Sequence, residues 1–266
     1  MEVFLLSLVL LSLGSLTSVI VHRLPQMEFD QTNINLFFPR SHCVKCKTPL
    51  LKKDLIPLIS YFIQGGKCRA CKENISIIYL VHELVHLCVG LAIFYFVGFS
   101  FITLLVYILF FNFYVLLICD LQKFYLPFFF NVSISIIGIA SAYYGYVYLI
   151  DINNIVFDKS HVMLSLYGFI SGFSILWIVN FFYKVLTKED GIGGGDFILL
   201  GGIGTFVGPM GISYVILLGS LSTLVIRIVN LKKYQKELPL GSGLIIGFFI
   251  YIIINYFELL YFNLVL

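Results

Sequence analysis

The stretch FITLLVYILFFNFYVLLIC, residues 101–119, decides the class of fold. It carries no charged side chain, and its length matches the roughly 20 apolar residues that a helix needs to cross the hydrocarbon core of a bilayer. We therefore expect a membrane-spanning helix here, with the acidic residue Asp120 directly at its end.

The rest of the chain has the same apolar character. Of its 266 residues, 60% are hydrophobic and only 12% are charged, whereas a soluble domain carries about 25% charged residues. The run 197–208 is short and rich in glycine, so it either continues into the next span or forms a broken helix. The prediction is an all-α, polytopic membrane protein of about eight transmembrane helices, at residues 1–21, 77–98, 101–119, 126–150, 162–183, 197–208, 210–230 and 244–264.

The polar segments between these spans predict two parts. Residues 22–76 form the only sizeable soluble segment, and the shorter polar connections are 120–125, 151–161, 184–196 and 231–243. We expect one part at 1–100, which contains the first helix, the loop 22–76 and the second helix, and a six-helix domain at 101–266. The first run lacks a basic region before it and an A-x-A-like site after it, which favours a retained helix over a cleaved signal peptide.

The basic residues predict the orientation of the spans. Cytoplasmic loops of membrane proteins are enriched in lysine and arginine. If the first terminus lies outside, 16 of the 17 basic residues fall on the inner side and only Lys159 falls outside. The loop 22–76 is therefore expected in the cytoplasm. The net charge of +3 gives no argument for a nucleic-acid partner, and we expect none.

The cytoplasmic loop contains two C-x-x-C pairs, Cys43/Cys46 and Cys68/Cys71. Four thiolates in two such pairs can close a tetrahedral structural zinc site, and the distance between the pairs is near that of zinc ribbons. Disulfides are disfavoured in a reducing compartment. The loop is therefore predicted to be a small zinc-ribbon-like insertion in which the metal has a structural role.

Two carboxylates lie at predicted helix ends of similar depth. Asp120 follows one span, and Asp196 ends the run Gly191-Ile-Gly-Gly-Gly-Asp196 and opens another. Two carboxylates that share a site tend to divide one proton, so one acts as base and the other as acid. Gly193 and Gly195 permit close backbone approach and unusual φ angles. The alternative is structural: Asp196 caps a helix and Asp120 is an interfacial acid beside Lys123.

A different site is suggested by His82-Glu-Leu-Val-His86, which matches H-E-x-x-H. In zinc proteases of that signature the two histidines bind the metal and the glutamate is the general base. An intramembrane metalloprotease built on His82, Glu83 and His86 is therefore the rival hypothesis. It needs a third ligand, for which His161 and Asp120 are candidates.

Five ordered motifs resemble the type IV prepilin leader peptidases, which are G-x-G-D aspartyl proteases of the membrane. The opening Gly14-Ser-Leu-Thr-Ser-Val-Ile-Val-His-Arg-Leu-Pro25 is similar to G-S-F-L-N-V-V-I-x-R-L-P in that family. The paired cysteines enclose a segment similar to N-I-P-L-x-S-Y, and Gly191–Asp196 resembles G-M-G-x-G-D. Asp120 corresponds to the first catalytic aspartate, and Pro239-Leu-Gly241 to the late P-F-G element.

The resemblance implies an activity and a setting. Members of that family cut the short basic leader from type IV prepilins and pseudopilins at the cytoplasmic face of the bacterial inner membrane, where they serve pilus and type II secretion assembly. Many then methylate the new N-terminus with S-adenosylmethionine. On this basis the catalytic pair is Asp120 and Asp196, the first part of the chain is the methyltransferase region, and Glu83 is a candidate methyltransferase residue. The expected partners are prepilins, the assembly machinery and membrane lipid.

Three positions depart from the family pattern. Gln122 stands where the family has an acid, Phe128 where it has an aspartate or asparagine, and Ile198 where it has a lysine. In the region after the cysteines an arginine and a proline of the family are also missing. The two losses after the cysteines bear on methylation, which the resemblance links to this region. The changes at Phe128 and Ile198 leave open a third hypothesis, a membrane protein that docks prepilins without cutting them.

Overall fold

The structure is a computed structural model that describes residues 2–29, 34–145, 160–229 and 237–265, with the side chains of the last helix described as far as residue 256. Several sequence predictions fall outside these residues. They are the end of the span 126–150, nearly all of the connection 151–161, and four basic residues used to predict orientation, Lys159, Lys232, Lys233 and Lys236.

The described residues form helices joined by loops, with two isolated β-bridges. Eight α-helices are described: α1 (Glu2–Phe29), α2 (Ile59–Ile63), α3 (Ile77–Val97), α4 (Phe101–Lys123), α5 (Phe128–Tyr143), α6 (His161–Thr187), α7 (Gly194–Val229) and α8 (Leu240–Val265). Five of them, α1, α3, α4, α6 and α7, are long and apolar enough to cross a membrane, and α5 and α8 add shorter apolar stretches. The predicted all-α, multi-pass membrane fold is confirmed.

Within α7 the structure resolves the ambiguous glycine-rich run. Gly208 has non-helical backbone angles (φ 65, ψ 177) and precedes Pro209. A side chain of Ile212 lies 3.2 Å from the position that a Cβ would take on Gly204, although residues eight apart on a straight helix are separated by about 12 Å. The chain therefore folds back at Gly208, and residues 194–207 and 209–229 are two helical segments, as the alternative of a broken helix predicted.

The chain divides into two compact units, Met1–Ile108 and Leu109–Leu266. In the first unit, α1 and α3 approach closely at a glycine. A Cβ on Gly14 would lie 2.6 Å from the Cα of Glu83, so only glycine permits this contact. The cysteine-containing loop, residues 34–76, is anchored to α1 by Arg23, whose buried guanidinium donates hydrogen bonds to the carbonyls of Asn35, Leu36 and Pro39.

In the second unit, α6 packs antiparallel to the first half of α7 through small residues. A Cβ on Gly172 would lie 2.5 Å from the carbonyl oxygen of Leu200, and Gly168 meets the backbone of Gly204 in the same way. Going along α6 from Gly168 to Gly172, the contacted residue of α7 moves back from Gly204 to Leu200, so the two segments are antiparallel. Small residues allow this backbone approach, which stabilises helix pairs in a membrane by van der Waals contact.

The register of the other helices brings several helix ends together. Asn131 in the first turn of α5 bonds the carbonyl of Gly195 at the start of α7, and Ser242 at the start of α8 bonds Asp120 near the end of α4. One end of α4 and the first turns of α5, α7 and α8 therefore meet at one end of the second unit. The apolar core below this end is formed by residues such as Leu116, Leu199 and Leu244.

Candidate active site

Asp120 lies in the last turn of α4 and is buried, with 4% of its surface exposed. Its Oδ2 accepts two hydrogen bonds from one residue, from the backbone N–H of Ser242 at 2.6 Å and from its hydroxyl at 2.7 Å. Ser242 is itself fully buried. No ion pair joins Asp120 to Lys123 among the residues that the structure describes, so an interfacial acid paired with that lysine does not match the geometry.

Asp196 lies in the first turn of α7, directly after the glycine run. The residue is partly exposed, but its Oδ1 atom is buried and finds no hydrogen-bond partner within the described part of the chain. Its backbone N–H donates to the carbonyl of Gly193 at 3.0 Å. The carboxyl group is therefore not used to close the start of its own helix through Oδ1, and this oxygen is left for another group.

The first turn of α8 contacts both aspartates. Ser242 bonds Asp120, and a Cβ on the preceding Gly241 would lie 3.1 Å from Oδ1 of Asp196 and 2.9 Å from Leu126. Two consecutive residues thus touch two carboxylates that are 76 positions apart in sequence. The charges of Asp120 and Asp196 are also close enough to interact.

The glycines of the run are required by close approach. A Cβ on Gly195 would lie 2.9 Å from the side chain of Leu126, and a Cβ on Gly193 would lie 3.2 Å from Oδ2 of Asp196. Glycine also permits unusual φ angles, but the described geometry does not use that freedom at either position. The positive-φ glycines of the described residues do not include Gly193 or Gly195.

Two buried asparagines, which the sequence analysis did not single out, hold the glycine run. The Asn180 Oδ1 atom accepts the N–H groups of Gly191 and Ile192 at 2.9 and 3.0 Å, and the Asn131 amide donates to the carbonyl of Gly195 at 3.1 Å. Polar residues within apolar helices were the available signal for both, since such groups need partners in a membrane. The segment that leads into Asp196 is therefore fixed at both ends.

Asp190 completes this arrangement outside the membrane-spanning segments. Hydrogen bonds from Lys184 at 2.8 Å and from Asn180 at 3.0 Å lower the pKa of its carboxyl group. A lowered pKa in the folded state means that this contribution to stability is present above the ordinary aspartate pKa and is lost as the pH falls through the lowered value. Because Asp190 is exposed, the contribution is small.

The four cysteines of the loop come together as predicted. Their sulfur atoms all lie within 4.8 Å of one another, and the Cys43–Cys71 and Cys46–Cys68 sulfur distances are both 3.9 Å. Four sulfurs around a zinc ion at about 2.3 Å would be separated by about 3.8 Å in a regular tetrahedron. The donor set and its spacing therefore fit a metal ion held by four thiolates.

The two C-x-x-C turns have the same backbone geometry. In the first turn the Cys43 N–H donates to the Thr48 carbonyl, and the N–H of Lys47, which has positive φ, donates to the Cys43 carbonyl. Cys68, Glu73 and Lys72 make the same contacts in the second turn. Hydrogen bonds with Thr48 lower the pKa of the Cys46 thiol to about 6. Backbone N–H groups of the second turn lower the pKa of Cys68. Both effects favour the thiolate form that metals bind at these two residues. At Cys71 a backbone hydrogen bond at Glu73 lowers the pKa, but burial and the neighbouring thiols outweigh it and raise the pKa to about 11.

The H-E-x-x-H residues do not form a metal site in this geometry. The two ring nitrogens of His86 lie 2.9 Å from the Thr17 hydroxyl and 2.8 Å from the Tyr107 hydroxyl. Glu83 accepts the N–H of Leu58 at 2.7 Å, and His82 is buried. Within the described residues, the cysteines are the one group of three or more side chains placed to hold a metal. His86 and Glu83 therefore have structural partners.

The departures from the family pattern lie at the surface of the site. Gln122 is exposed, Phe128 is exposed over 68% of its surface, and Ile198 is partly buried. None of them supplies a hydrogen bond to either aspartate among the contacts described above. The replacements consequently leave the contacts of Ser242 and Gly241 with the two carboxyl groups in place.

This fold and site define a class: a multi-pass, all-helical membrane protein with a pair of aspartates at clustered helix ends. Two family models match the chain, the bacterial peptidase A24 N-terminal domain over residues 8–97 and the type IV leader peptidase family over residues 105–228. The chain belongs to the type IV leader peptidase family.

Curated relatives extend the similarity over nearly the whole chain. A prepilin leader peptidase/N-methyltransferase of Vibrio cholerae is 29% identical over 92% of this chain and 94% of its own length. The chain is also similar to a protein of the same name from Neisseria gonorrhoeae, which is 29% identical over 89% of this chain and 85% of its own length. A third, from Pseudomonas aeruginosa, is 28% identical over 92% of this chain and 88% of its own length. No solved structure matches.

Proposed function

We propose that this protein is a membrane aspartyl endopeptidase whose catalytic pair is Asp120 and Asp196. The observation that carries the proposal is the contact of Gly241 and Ser242 with both carboxyl groups at one end of a helix bundle. In such a pair the charged carboxylate takes a proton from water while the protonated carboxyl group donates to the peptide carbonyl. Gly193 and Gly195 support the pair because they let Asp196 and Leu126 approach the backbone.

The substrates that we propose are type IV prepilins and pseudopilins, because the relatives carry prepilin in their names. A prepilin presents its leader next to an apolar membrane helix, so a scissile bond at the membrane surface would meet aspartates at helix ends. We place the enzyme in the bacterial inner membrane with the cysteine loop and both aspartates on the cytoplasmic side. The basic residues of the sequence support this side, and the assembly machinery of pili or type II secretion is the expected setting.

Within this proposal the parts of the chain have separate roles. Residues 101–266 form the peptidase domain, and residues 1–100 form the accessory region with the cysteine loop. We assign zinc to Cys43, Cys46, Cys68 and Cys71, where it would crosslink the two C-x-x-C turns. With four protein ligands a zinc ion has no open position for a reactant, so its role is structural.

Methylation by S-adenosylmethionine remains a separate proposal taken from the relatives' names. Glu83 is the residue that the family resemblance offers for it, but its Oε2 is already engaged by the N–H of Leu58. We therefore derive no methylation step, and we expect the peptidase activity not to depend on Glu83.

The test is leader removal in a bacterium that co-expresses the protein with a candidate prepilin, followed by gel shift. We expect Asp120→Asn and Asp196→Asn each to reduce cleavage by at least about 100-fold, since a positioned acid or base contributes about that much or more. Glu83→Gln separates the rival metalloprotease, and Glu237→Gln removes an exposed carboxylate as a matched control.

Accumulation of every variant is measured by immunoblot, and the mass of the mature pilin reports whether its N-terminus is methylated. The proposal requires that both asparagine variants accumulate without cutting while both glutamine variants cut normally. Normal cleavage by Asp196→Asn together with loss of cleavage by Glu83→Gln would establish the H-E-x-x-H site instead. Failure of all forms, including wild type, would favour a protein that docks prepilins without cutting them.

A further inference from the structure

Ser242 gives the two aspartates unequal surroundings. Its backbone N–H and its hydroxyl both point at Oδ2 of Asp120, at 2.6 and 2.7 Å. The hydroxyl has a second acceptor in reach, the Leu117 carbonyl, but at the longer distance of 3.3 Å. The hydroxyl proton is thus best placed on the carboxylate, and one oxygen of Asp120 receives two donors from a single, fully buried residue.

The carboxyl group of Asp196 has one donor, the backbone of Gly193, and it receives none on the side that faces the turn of α8. Its Oδ1 lies 3.1 Å from the Cβ position of Gly241, is buried, and has no hydrogen-bond partner in the described part of the chain. A buried carboxylate oxygen without a donor is costly when the group is charged. A protonated carboxyl group tolerates this position better because it carries no net charge.

The helix that carries Ser242 adds to the difference. The N–H that bonds Asp120 belongs to the first turn of α8, where unpaired N–H groups and the helix dipole favour a negative charge. The titratable groups whose charges interact with Asp120 are Asp196 and the adjacent Cys119. The first turns of α5 and α8 contribute no titratable side chain. Lys123, three residues further along α4, makes no ion pair with Asp120 among the described residues. The turn of α8 therefore supplies the contacts that favour the charged form of Asp120.

From these contacts we infer that Ser242 is a positioning residue that holds Asp120 as the charged base, while the proton of the pair resides on Asp196. The inference rests on the proposed peptidase function. Water gives a proton to Asp120 as its oxygen bonds the peptide carbon, and Asp196 protonates the carbonyl oxygen. Collapse of the resulting diol returns a proton to Asp196, and Asp120 passes its proton to the leaving amine as the C–N bond breaks.

The experiment compares Ser242→Ala with wild type, and uses Ser222→Ala as the matched control. Ser222 is a serine of α7 whose hydroxyl, within the described part of the chain, donates only to the Leu218 carbonyl of its own helix. The rate of prepilin cleavage by purified enzyme in detergent is measured across pH. Losing one hydrogen bond to a charged group should move the acid limb of the profile to higher pH by about one unit.

We expect the Ser242→Ala rate at neutral pH to fall on the order of tenfold through loss of positioning, with the Ser222→Ala profile unchanged. A loss of rate without movement of the acid limb, a movement of the alkaline limb alone, or no change would each overturn the inference. If the alanine variant does not accumulate, Ser242→Cys replaces it, because it keeps a side chain of similar size with a weaker donor.

A second measurement separates this inference from the proposed function. Infrared titration of the carboxyl groups in the purified protein needs no substrate. The lower-titrating member of the pair should shift to higher pH in Ser242→Ala and disappear in Asp120→Asn. If this titration behaves as expected but no prepilin is cut, the proposed function fails and the arrangement of charges stands. If prepilin is cut but the titration is unmoved, the role of Ser242 fails alone.

Discussion

At the residue scale, the candidate site is held by hydrogen bonds from residues that do not react. Asn180 is the clearest case: it is buried, its carbonyl oxygen accepts two backbone N–H groups, and its amide donates to Asp190. A single side chain thereby fixes Asp190, Gly191 and Ile192, the three residues before Gly193. The position of Asp196 depends on this segment because glycines alone impose little conformational preference.

We expect Asn180→Ala to lower both stability and cleavage. Removing it takes the acceptor away from two partly buried N–H groups, and each such hydrogen bond contributes about 0.5–1.5 kcal/mol. Thermal unfolding in detergent and the gel-shift assay measure the two effects. Lys184→Ala is the control, because it removes only an exposed ion pair worth about 0–1 kcal/mol. Equal behaviour of the two variants would show that Asn180 does not position the run.

At the element scale, the cysteine loop and α7 show how short motifs set local geometry. The two C-x-x-C turns repeat one backbone pattern and bring four sulfurs to the spacing that zinc requires. In α7, Gly208 and Pro209 break a helix that is too long for one span and turn it back on itself. The cysteine loop depends on four sulfur ligands, and the break in α7 depends on the backbone angles of Gly208. Few other residues could replace these.

The loop should hold about one zinc ion per chain, as a site with four thiolate ligands does. We expect Cys46→Ser to lose this zinc and to expose the loop to proteolysis, since metal binding and folding are coupled. Cys88→Ser is the control, because Cys88 lies on the exposed face of α3. Elemental analysis of the purified protein measures the metal. Equal zinc content in both variants would contradict a site at the four cysteines.

At the scale of the whole molecule, the helices of the second unit place the two aspartates at the same end. The antiparallel pairing of α6 with the first half of α7 puts the end of α6 that carries Lys184 at the same end as Asp196, and the His161 end away from it. With the inner side assigned to the lysines, the start of α6 should face outward. This sidedness is a prediction of the proposed topology.

Labelling with a membrane-impermeant maleimide can test it. We expect Ser160→Cys to react in intact cells and Lys188→Cys to react only after the membrane is permeabilised. The wild-type protein, with its native cysteines, gives the background of the assay. Labelling of Lys188→Cys in intact cells would reverse the orientation and would place the aspartates away from the cytoplasmic leader of a prepilin.

The sequence by itself determined the membrane class, the number of apolar segments, the cysteine set and the two aspartates. Long apolar runs, paired cysteines and acids at helix ends are local signals. The preference of apolar side chains for lipid and of zinc for thiolates gives them meaning without the rest of the chain. The glycine-rich run 197–208 could be recognised as ambiguous but not resolved, because Gly208 and Pro209 permit either a kink or a full break and the sequence does not show which of them occurs.

Only the tertiary structure decided which residues serve the aspartates. Ser242 lies 122 positions from Asp120, and Asn131 lies 64 positions from Gly195, so no local pattern pairs them. It likewise decided that His86 bonds Thr17 and Tyr107, where the H-E-x-x-H spacing had suggested a metal. Hydrogen bonds between distant segments depend on helix register and crossing, and these arise when the whole unit packs.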